Sequence, residues 1–433
     1  MKLSEFKNKK VLIIGRGIEG QATYKYLKKH FPKNVIDAVD QKDGDSYLDS
    51  QTNYDIAIKS PGVKPEVIKI PYTTATNIFL SNAKGKIIGV TGTKGKSTTS
   101  TLIYEMLKKD VKNAYLGGNI GRSPLEFLDK LDDHSITVLE MSSFQLQDIK
   151  KSPDIAVVLM IHEEHLDYHK KIEEYIFAKR NILRFQDISN FAVINRDYPA
   201  SNESDIYAEG EVFRVSIERP PEKGCFLKDD VVWIKKDDKE QKIIDVKEIK
   251  LLGRHNLENV CAAAMVATLC NVSIESIKNV LKNFGGLPHR LEYVGEKNGV
   301  KFYNDSLSTI PRATIEALES LPLTETLIAG GHDRRIDYSE LGRHLTKSQV
   351  RTLILFPPSG ERIWDSVCKV VTENNRPEKF DVKTMKQAVR LANVETSPGK
   401  ICLLSPASAS FGIFKDYKDR GEQFKREVQR LSF

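Results

Sequence analysis

Short apolar runs alternate with longer stretches of helical periodicity along most of this chain. Runs of this kind are typical of buried strands, and the stretches between them are typical of covering helices. Strand–helix alternation predicts an α/β fold of doubly wound parallel sheets. The clearest runs are residues 11–14, 35–39, 56–58, 87–90, 137–139, 155–160, 301–304, 325–330, 350–355 and 400–404.

Domain boundaries are expected where this alternation is interrupted. Segment 71–85 combines Pro71 with a Thr- and Asn-rich run and is taken as the first boundary. Residues 195–250 are short β-rich pieces with charged turns, and a third unit begins near residue 285. A chain of 433 residues is too long for one core. We therefore predict three domains, at residues 1–82, 83–285 and 286–433.

Segment 86–99, KIIGVTGTKGKSTT, has the order of a phosphate-binding loop, with an apolar strand, a Gly-rich turn and an apolar-periodic helix. Glycines let backbone N–H groups face an anion, and the helix N-terminus adds partial positive charge. Lys96 would reach the β- and γ-phosphates, and Ser97 or Thr98 would offer a hydroxyl to Mg²⁺. The spacing departs from G-x-x-x-x-G-K-[ST] because residue 90 is Val. We predict a nucleoside triphosphate site here.

Two later strand ends carry candidate metal ligands. The strand at 137–140 ends in Glu140, where an acid can hold Mg²⁺, although capping of the next helix is an alternative. The strand at 155–160 leads into HEEHLDYH at residues 162–169. Leu166 breaks the H-E-x-x-H pattern, so a zinc protease is not supported. His165 could still ligate a metal, with an ordinary surface turn as the alternative.

The first sixty residues have the pattern of a βαβ nucleotide-binding unit. A strand runs into GRGIEG at residues 15–20, and Asp40 follows twenty residues after the last glycine. This spacing is that of a dinucleotide fingerprint with an acid placed for a ribose, but the same unit binds other nucleotides. The turn of Ser60, Pro61 and Gly62 ends the next strand, and open α/β sheets bind ligands at such ends.

Composition narrows the classes of function. Hydrophobic residues make up 40% and charged residues 29% of the chain, as in ordinary globular proteins. The net charge of +7 is scattered, so no nucleic-acid partner is expected. The five cysteines lack zinc spacing and are expected to be reduced. With no apolar signal region and no apolar run of about 18 residues, a cytoplasmic protein without membrane insertion is expected.

The chain contains nine short segments in the order GTKGKST, GGNIG, LEMSSFQL, HEEHLD, FAKR, GRHNLENV, GLPHRLE, NDS and SPASASF. Together these segments resemble the motifs of the Mur ligases of bacterial peptidoglycan synthesis. The resemblance covers nearly the whole chain. The N-terminal Gly-rich unit, SSFQL and GLPHR most resemble the members that add D-glutamate to UDP-N-acetylmuramoyl-L-alanine.

The resemblance implies a UDP-binding Rossmann-like domain, a central P-loop ATPase and a C-terminal Rossmann-like domain that receives the amino acid. It also implies an ATP-dependent amide ligase. ATP would convert the carboxylate of UDP-N-acetylmuramoyl-L-alanine into an acyl phosphate, which the amine of glutamate attacks. Such phosphoryl transfer needs positioning and charge neutralisation more than covalent help, and domain closure would exclude water. A monomer that uses ATP and two Mg²⁺ ions is expected.

The resemblance also assigns residues to each ligand. Lys96 would bind the transferring phosphate, Ser97 and Glu140 one Mg²⁺, and His165 the second. Lys179, which its local sequence alone presents as a solvated lysine, would be carbamylated to serve the metal site. Further ATP contacts would be Gly92, Thr93, Lys94, Gly95, Thr98, Asn256, Asn259, Arg290 and Asp305. The UDP-substrate contacts would be Gly17, Ile18, Asp40, Ser60, Pro61, Gly62, Asn119 and Ser142. The glutamate contacts would be Thr309, Arg334, Ser410, Phe411 and Tyr417.

Two departures from the D-glutamate-adding pattern bear on stereochemistry. Those members carry Lys after NDS, where this chain has Leu307, and a substrate lysine where this chain has Arg334. Arginine can still clamp a carboxylate, and does so bidentately. The combination resembles a subgroup some of whose members add L-glutamate. We expect D-glutamate, with L-glutamate as the alternative.

Two functions of other classes are alternatives. A nicotinamide oxidoreductase would explain the first sixty residues but would leave the phosphate loop and the NDS segment without a role. A catalytically silent nucleotide-binding protein would be marked by loss of Lys96, Glu140, His165 or Lys179, and all four are present.

Overall fold

The computed structural model describes residues 1–162, 172–372 and 376–431. The chain divides into two compact units, Met1–Phe284 and Gly285–Phe433. Within the described ranges the first unit holds a four-stranded and a nine-stranded sheet, and the second holds a six-stranded sheet. The predicted α/β class is confirmed.

The four-stranded sheet is parallel, with strand order β2-β1-β3-β4. Its elements are β1 (Val11–Ile14), α1 (Ile18–His30), β2 (Ile36–Val39), β3 (Ile56–Lys59), β4 (Tyr72–Thr74) and α2 (Ala75–Asn82). Every residue of β1 is buried, because both faces of a central parallel strand are covered.

Segment 71–85, expected to be a boundary, contains β4 and α2. The polar residues there begin a helix, since the Thr74 hydroxyl accepts a hydrogen bond from Asn77 N at 3.1 Å. Ile78, Phe79 and Leu80 are fully buried. They belong to an apolar core that also contains residues of the nine-stranded sheet and its helices. The division of residues 1–284 into two domains stays a prediction.

The nine-stranded sheet has the order β13-β12-β11-β10-β9-β8-β5-β7-β6. Its strands are β5 (Lys86–Thr91), β6 (Ala114–Gly118), β7 (Ile136–Glu140), β8 (Ile155–Val158), β9 (Phe191–Asn195), β10 (Glu211–Ser216), β11 (Gly224–Lys228), β12 (Val231–Lys236) and β13 (Lys239–Asp245). The helices of this part are α3 (Lys96–Asp110), α4 (Ser143–Leu146), α5 (Ile172–Arg184), α6 (Pro199–Asn202), α7 (His255–Leu269) and α8 (Ile274–Asn283).

One edge of this sheet departs from the predicted all-parallel arrangement. In sheet order, from β6 at one edge through β7, β5, β8, β9 and β10 to β11, neighbouring strands are parallel. Strand β12 is antiparallel to both of its neighbours, β11 and β13. The connections are Asp-Asp pairs, with φ of 51° and 54° at Asp229 and Asp230 and of 51° and 58° at Asp237 and Asp238. Two consecutive residues of positive φ form the tight turn that joins hairpin strands. The charged turns of this region therefore make hairpins.

The six-stranded sheet of the second unit has the order β14-β15-β19-β16-β17-β18. Its elements are β14 (Glu292–Lys297), β15 (Val300–Asn304), α9 (Pro311–Ser320), β16 (Thr324–Gly330), α10 (Ser339–Leu345), β17 (Thr352–Phe356), α11 (Ser359–Cys368), β18 (Glu378–Asp381), α12 (Met385–Glu395), β19 (Ile401–Leu404) and α13 (Tyr417–Gln429). Only the β14–β15 hairpin is antiparallel among the pairings of these described strands. In the described parts of the chain, no helix is both long and apolar enough to cross a membrane.

Candidate nucleotide and substrate sites

The phosphate-binding loop lies at the carboxyl end of β5, between β7 and β8 in the sheet. Residue Val90 near the end of β5 pairs with Glu140 at the end of β7. Parallel strands end at one edge of a sheet, and ligands of open α/β sheets bind at that edge. The fold therefore places the loop and Glu140 side by side.

Two glycines give the loop its shape. Gly92 and Gly95 have φ of 153° and 84°, and Gly95 precedes the first residue of α3. A Cβ atom on Gly95 would lie 2.2 Å from Asn259 Oδ1, so a side chain at this position would strain the backbone and collide with α7. Thr93 N donates to Met160 O at 2.6 Å. The loop is thus closed against the end of β8 and against α7.

Two lysine side chains meet at the carbonyl group of Gly92. Lys96 Nζ donates to Gly92 O at 3.0 Å and to Thr93 O at 2.8 Å. Lys179 Nζ donates to Gly92 O at 2.7 Å. The structure thereby brings both predicted lysines to the same side of the loop.

Lys179 is not the solvated lysine that its local sequence suggests, since its exposed fraction is only 2%. It follows Tyr175 by four residues on α5, so both side chains lie on the same, buried face of that helix. Lys179 Nζ is 4.6 Å from the centre of the Tyr175 ring, within the range of a cation–π contact. Burial of a lysine beside a phosphate loop indicates a function, because lysine is rarely buried otherwise.

Glu140 has the environment of a metal ligand. Its exposed fraction is 3%, and Oε1 accepts a hydrogen bond from Asn119 Nδ2 at 3.0 Å. Oε2 is buried and has no hydrogen-bond partner among the residues that the structure describes, which is costly for a carboxylate oxygen unless a cation meets it. Ser142, rather than Glu140, caps α4, so the capping alternative does not apply. The residues present therefore fit Mg²⁺, which prefers oxygen ligands.

The second predicted metal ligand, His165, lies outside the described residues. Within residues 1–162, 172–372 and 376–431, no three His, Cys, Asp or Glu side chains converge as metal ligands. A metal site at Glu140 would therefore draw its other ligands from hydroxyl groups, bound phosphate, a carbamate on Lys179 or residues beyond these ranges.

Two asparagines of α7, both predicted to contact the nucleotide, are hydrogen-bonded to each other, and one of them lies against the loop. Asn259 Oδ1 accepts from Thr99 Oγ1 at 3.1 Å, and Asn259 Nδ2 donates to Asn256 Oδ1 at 2.8 Å. Asn256 Nδ2 in turn donates to Leu252 O at 2.6 Å. Asn259 is held by these bonds against Gly95, and Asn256 is held behind it.

The Gly-rich turn of residues 15–20 packs against the turn of residues 60–62. A Cβ atom on Gly20 would lie 1.9 Å from Gly15 O, and one on Gly15 would lie 2.6 Å from Ser60 Oγ. Ser60 Oγ donates to Gly15 O at 3.2 Å. Ile18, by contrast, is 81% exposed, so an apolar side chain is open to a ligand beside this turn.

Asp40 lies at the end of β2, where an acid can meet a ribose. Its carboxylate accepts hydrogen bonds from the backbone N–H groups of Arg16 at 2.7 Å and Lys42 at 3.2 Å. These bonds hold the pKa of Asp40 below its ordinary value. Asp40 is therefore ionised at neutral pH and is fixed to the Gly-rich turn.

A contact that sequence reasoning missed joins this turn to Ser142. Gln145 Nε2 donates to Glu19 Oε2 at 3.1 Å, and Gln145 Oε1 accepts from Ser142 N at 3.1 Å. Burial raises the pKa of Glu19 above its ordinary value. Gln145 thus links the Gly-rich turn to Ser142, which are predicted to bind opposite ends of the UDP-substrate. The sequence does not indicate this link, because Glu19 and Gln145 are 126 residues apart.

In the second unit, three of the residues predicted to bind the glutamate substrate lie on loops after three adjacent strands. Thr309 follows β15, Ser410 follows β19 and Arg334 follows β16. His332 N donates to Ala409 O at 2.8 Å, and the rings of His332 and Phe411 are 6.3 Å apart. The structure therefore brings the Arg334 loop and the Ser410 loop together.

Arg420 of α13 is a further residue of this region that the sequence did not indicate. Its guanidinium donates to Ser306 Oγ at 3.0 Å, Ser306 O at 2.9 Å and Ser408 O at 3.0 Å. Ser306 Oγ donates onward to Tyr417 O at 2.7 Å. Burial lowers the pKa of Arg420 to about 9. Arg420 thus fixes the loops after β15 and β19 to the start of α13.

Asp305, predicted to contact ATP, has a buried carboxylate in this unit. It accepts hydrogen bonds from Ser405 Oγ at 2.7 Å and Leu291 N at 3.2 Å. Burial raises its pKa to about 6. The Leu291 bond anchors the loop that carries Arg290, the other ATP contact predicted from this unit.

Comparison with known families places two domain models on the chain. The Mur ligase middle domain matches residues 90–267, and the Mur ligase glutamate ligase domain matches residues 289–408. A Clostridium botulinum relative named UDP-N-acetylmuramoylalanine–D-glutamate ligase is 34% identical, over 98% of this chain and 97% of the relative. A relative of the same name from Acetivibrio thermocellus is 36% identical, over 99% of each chain.

Solved structures share the fold at lower identity. The MurF ligase of Thermotoga maritima, in complex with ADP, has a TM-score of 0.59 and 19% identity, covering 99% of this chain and 97% of that one. The UDP-N-acetylmuramate–alanine ligase MurC of the same organism has a TM-score of 0.60 and 17% identity, covering 98% and 99%.

Proposed function

Because this chain belongs to the Mur ligase family, we propose that it joins D-glutamate to UDP-N-acetylmuramoyl-L-alanine at the expense of ATP. The full-length relatives named for this reaction support the choice of substrates. The observation that carries the proposal is the phosphate loop, where Lys96 and Lys179 meet at one carbonyl and Glu140 ends the adjacent strand.

The residues at the loop suit transfer of a phosphoryl group to a carboxylate. Two anions must approach each other, so the chain has to neutralise charge and fix geometry. Lys96 would move from its loop carbonyls to the transferring phosphate. Ser97 and Glu140 would hold Mg²⁺, which would neutralise phosphate charge, and a carbamate on Lys179 would turn a cation into a further oxygen ligand.

The second unit would supply the amino acid site. Arg334 would pair with the distal carboxylate of glutamate, because a guanidinium matches a carboxylate in two hydrogen bonds. Ser410 and Thr309 would contact the other polar groups, with Phe411 and Tyr417 beside them. Position 307 is Leu, where the members that add D-glutamate carry Lys, so the two enantiomers of glutamate are assayed separately.

The test of this function is a phosphate-release assay on the full chain. Phosphate release should require ATP, UDP-N-acetylmuramoyl-L-alanine and glutamate together. Each substrate is omitted in turn, and each amino acid is supplied in turn. Release without the UDP-substrate, or with no amino acid preference, would contradict the proposal.

We expect D-glutamate to be the added amino acid. Both enantiomers carry the same two carboxylates, so Arg334 cannot distinguish them by charge, and the assignment rests on the whole-chain relatives. Separate assays of D- and L-glutamate measure kcat/KM for each. A strong preference for L-glutamate would favour the alternative, and activity only with diaminopimelate or lysine would refute both.

We also expect the Gly-rich turn of residues 15–20 to bind the UDP group rather than NAD. The turn is part of a chain whose phosphate loop serves ATP chemistry, and no hydride transfer is needed. Calorimetric titration of the full chain with UDP-N-acetylmuramoyl-L-alanine and with NAD compares the two ligands. Tight NAD binding without binding of the UDP-substrate would overturn this assignment.

A further inference from the structure

The side chain of Lys59, the last residue of β3, closes the turn of residues 60–62. Lys59 Nζ donates to Val63 O at 2.9 Å, so its side chain spans the turn. The backbone closes the same turn, since Val63 N donates to Ser60 O at 3.1 Å. Ser60 in turn is hydrogen-bonded to Gly15. The shape of this turn therefore depends on where Lys59 Nζ lies.

A buried ion pair determines that position. Lys59 Nζ is 2.9 Å from Asp148 Oδ2, and the side chains are 0% and 8% exposed. Asp148 Oδ1 accepts from the Tyr72 hydroxyl at 2.9 Å, and Asp148 O accepts from Asn77 Nδ2 at 2.7 Å. Moving either charge away from the other would leave it buried and unpaired, which is costly. The ion pair thus holds the end of β3 against the segment that follows α4.

That segment is continuous with the other end of the UDP-substrate site. Helix α4 begins after Ser142 and ends two residues before Asp148. Ser142 is a predicted contact of the muramoyl part, and residues 60–62 are predicted contacts of the diphosphate. Lys59 therefore connects the turn predicted to bind the diphosphate with the segment around α4, where Ser142 is predicted to bind the muramoyl part.

We propose that Lys59 is a positioning residue, which through Val63 and Asp148 holds the turn of residues 60–62 in the geometry that binds the substrate's diphosphate. This rests on the proposed function, which supplies the ligand. Lys59 acts through the turn, since its buried ammonium group is engaged by Val63 and Asp148. A buried ion pair is weak evidence for stability, because apolar replacements of both partners are often tolerated. The location of this ion pair beside the turn of residues 60–62 indicates instead that the pair orients the turn.

The test is calorimetric titration of UDP-N-acetylmuramoyl-L-alanine into the full chain and three variants. Lys59→Met and the double variant Lys59→Met/Asp148→Leu remove the hydrogen bond to Val63. Asp148→Asn keeps Lys59 but removes the negative charge of its ion-pair partner. We expect roughly tenfold or greater loss of affinity in the first two and a smaller loss in the third. The KM for the UDP-substrate should rise in parallel, while kcat and the KM for ATP change by less than about twofold.

The control variant is Lys223→Met. Lys223 forms an ion pair with Glu211 at 2.8 Å, but its side chain is 46% exposed. Loss of such a surface pair has little effect, so binding should be unchanged. The comparison distinguishes a specific effect of replacing Lys59 from the effect of replacing any lysine with methionine.

The outcomes are distinguishable. Lys59→Met leaves Asp148 unpaired and could unfold, whereas the double variant removes both charges and Asp148→Asn keeps the side-chain size. Wild-type affinity in a folded double variant overturns the inference, as does an equal loss of kcat or of ATP affinity. If the double variant does not fold, Asp148→Asn decides by the same criteria. Failure of the wild type to bind the UDP-substrate contradicts the proposed function itself.

Discussion

Replacing Lys96 with alanine is expected to abolish the ATP turnover that depends on UDP-N-acetylmuramoyl-L-alanine. Lys96 Nζ donates hydrogen bonds to the backbone carbonyl groups of Gly92 and Thr93, and a bound triphosphate would offer it stronger, anionic partners. Removal of a comparable preorganised contact costs roughly 3–4 kcal/mol, or about 10²–10³-fold in kcat. Steady-state phosphate release by the purified variant measures this loss.

The loss should not come from unfolding. Lys96 is the first residue of α3, where a cation opposes the helix dipole and alanine is the best helix former. The matched control is Lys108→Ala on the same helix, because the Lys108 side chain is 48% exposed and forms a surface ion pair with Glu105 at 3.3 Å. The thermal unfolding midpoints of both variants should stay close to that of the wild type. Undiminished turnover in Lys96→Ala would remove Lys96 from the phosphate site.

The strands and the phosphate-binding loop could be predicted from the sequence, because both are determined by local residue patterns. Buried strands such as β1 and β19 are uninterrupted apolar runs, and the loop needs Gly92 and Gly95 at positions that can be read directly. The antiparallel hairpins were less evident, since a pair of aspartates of positive φ replaces the usual Asn-Gly signal.

The contacts that hold the sites together were not readable from the sequence, because they join distant segments. Arg420 and Ser306 are 114 residues apart, and Gln145 and Glu19 are 126 apart. The local sequence of each residue is that of an ordinary surface position, and only the fold brings it to its partner. The same reason explains Lys179, whose burial depends on packing of α5 rather than on its local sequence.

Lys179→Ala is expected to be nearly inactive and to recover partly when a short carboxylate is added. In the structure Lys179 and Lys96 donate to the same carbonyl of Gly92. With ATP bound, a second buried ammonium group beside Mg²⁺ would be repelled, whereas a carbamate would be attracted. Its formation joins the neutral amine to CO₂ and releases a proton, so wild-type activity should fall in bicarbonate-depleted buffer.

The rescue experiment distinguishes a carbamate from a lysine that acts as a cation. Acetate resembles the carbamate head group and fits the space that the alanine variant opens, whereas methylammonium resembles the lysine ammonium group. If the carbamate is the active form, acetate restores part of the phosphate release and methylammonium restores none. Lys179→Met fills the space without a charge, so it should be inactive and insensitive to both. Rescue by methylammonium alone, or full wild-type activity without CO₂, would show that Lys179 works unmodified.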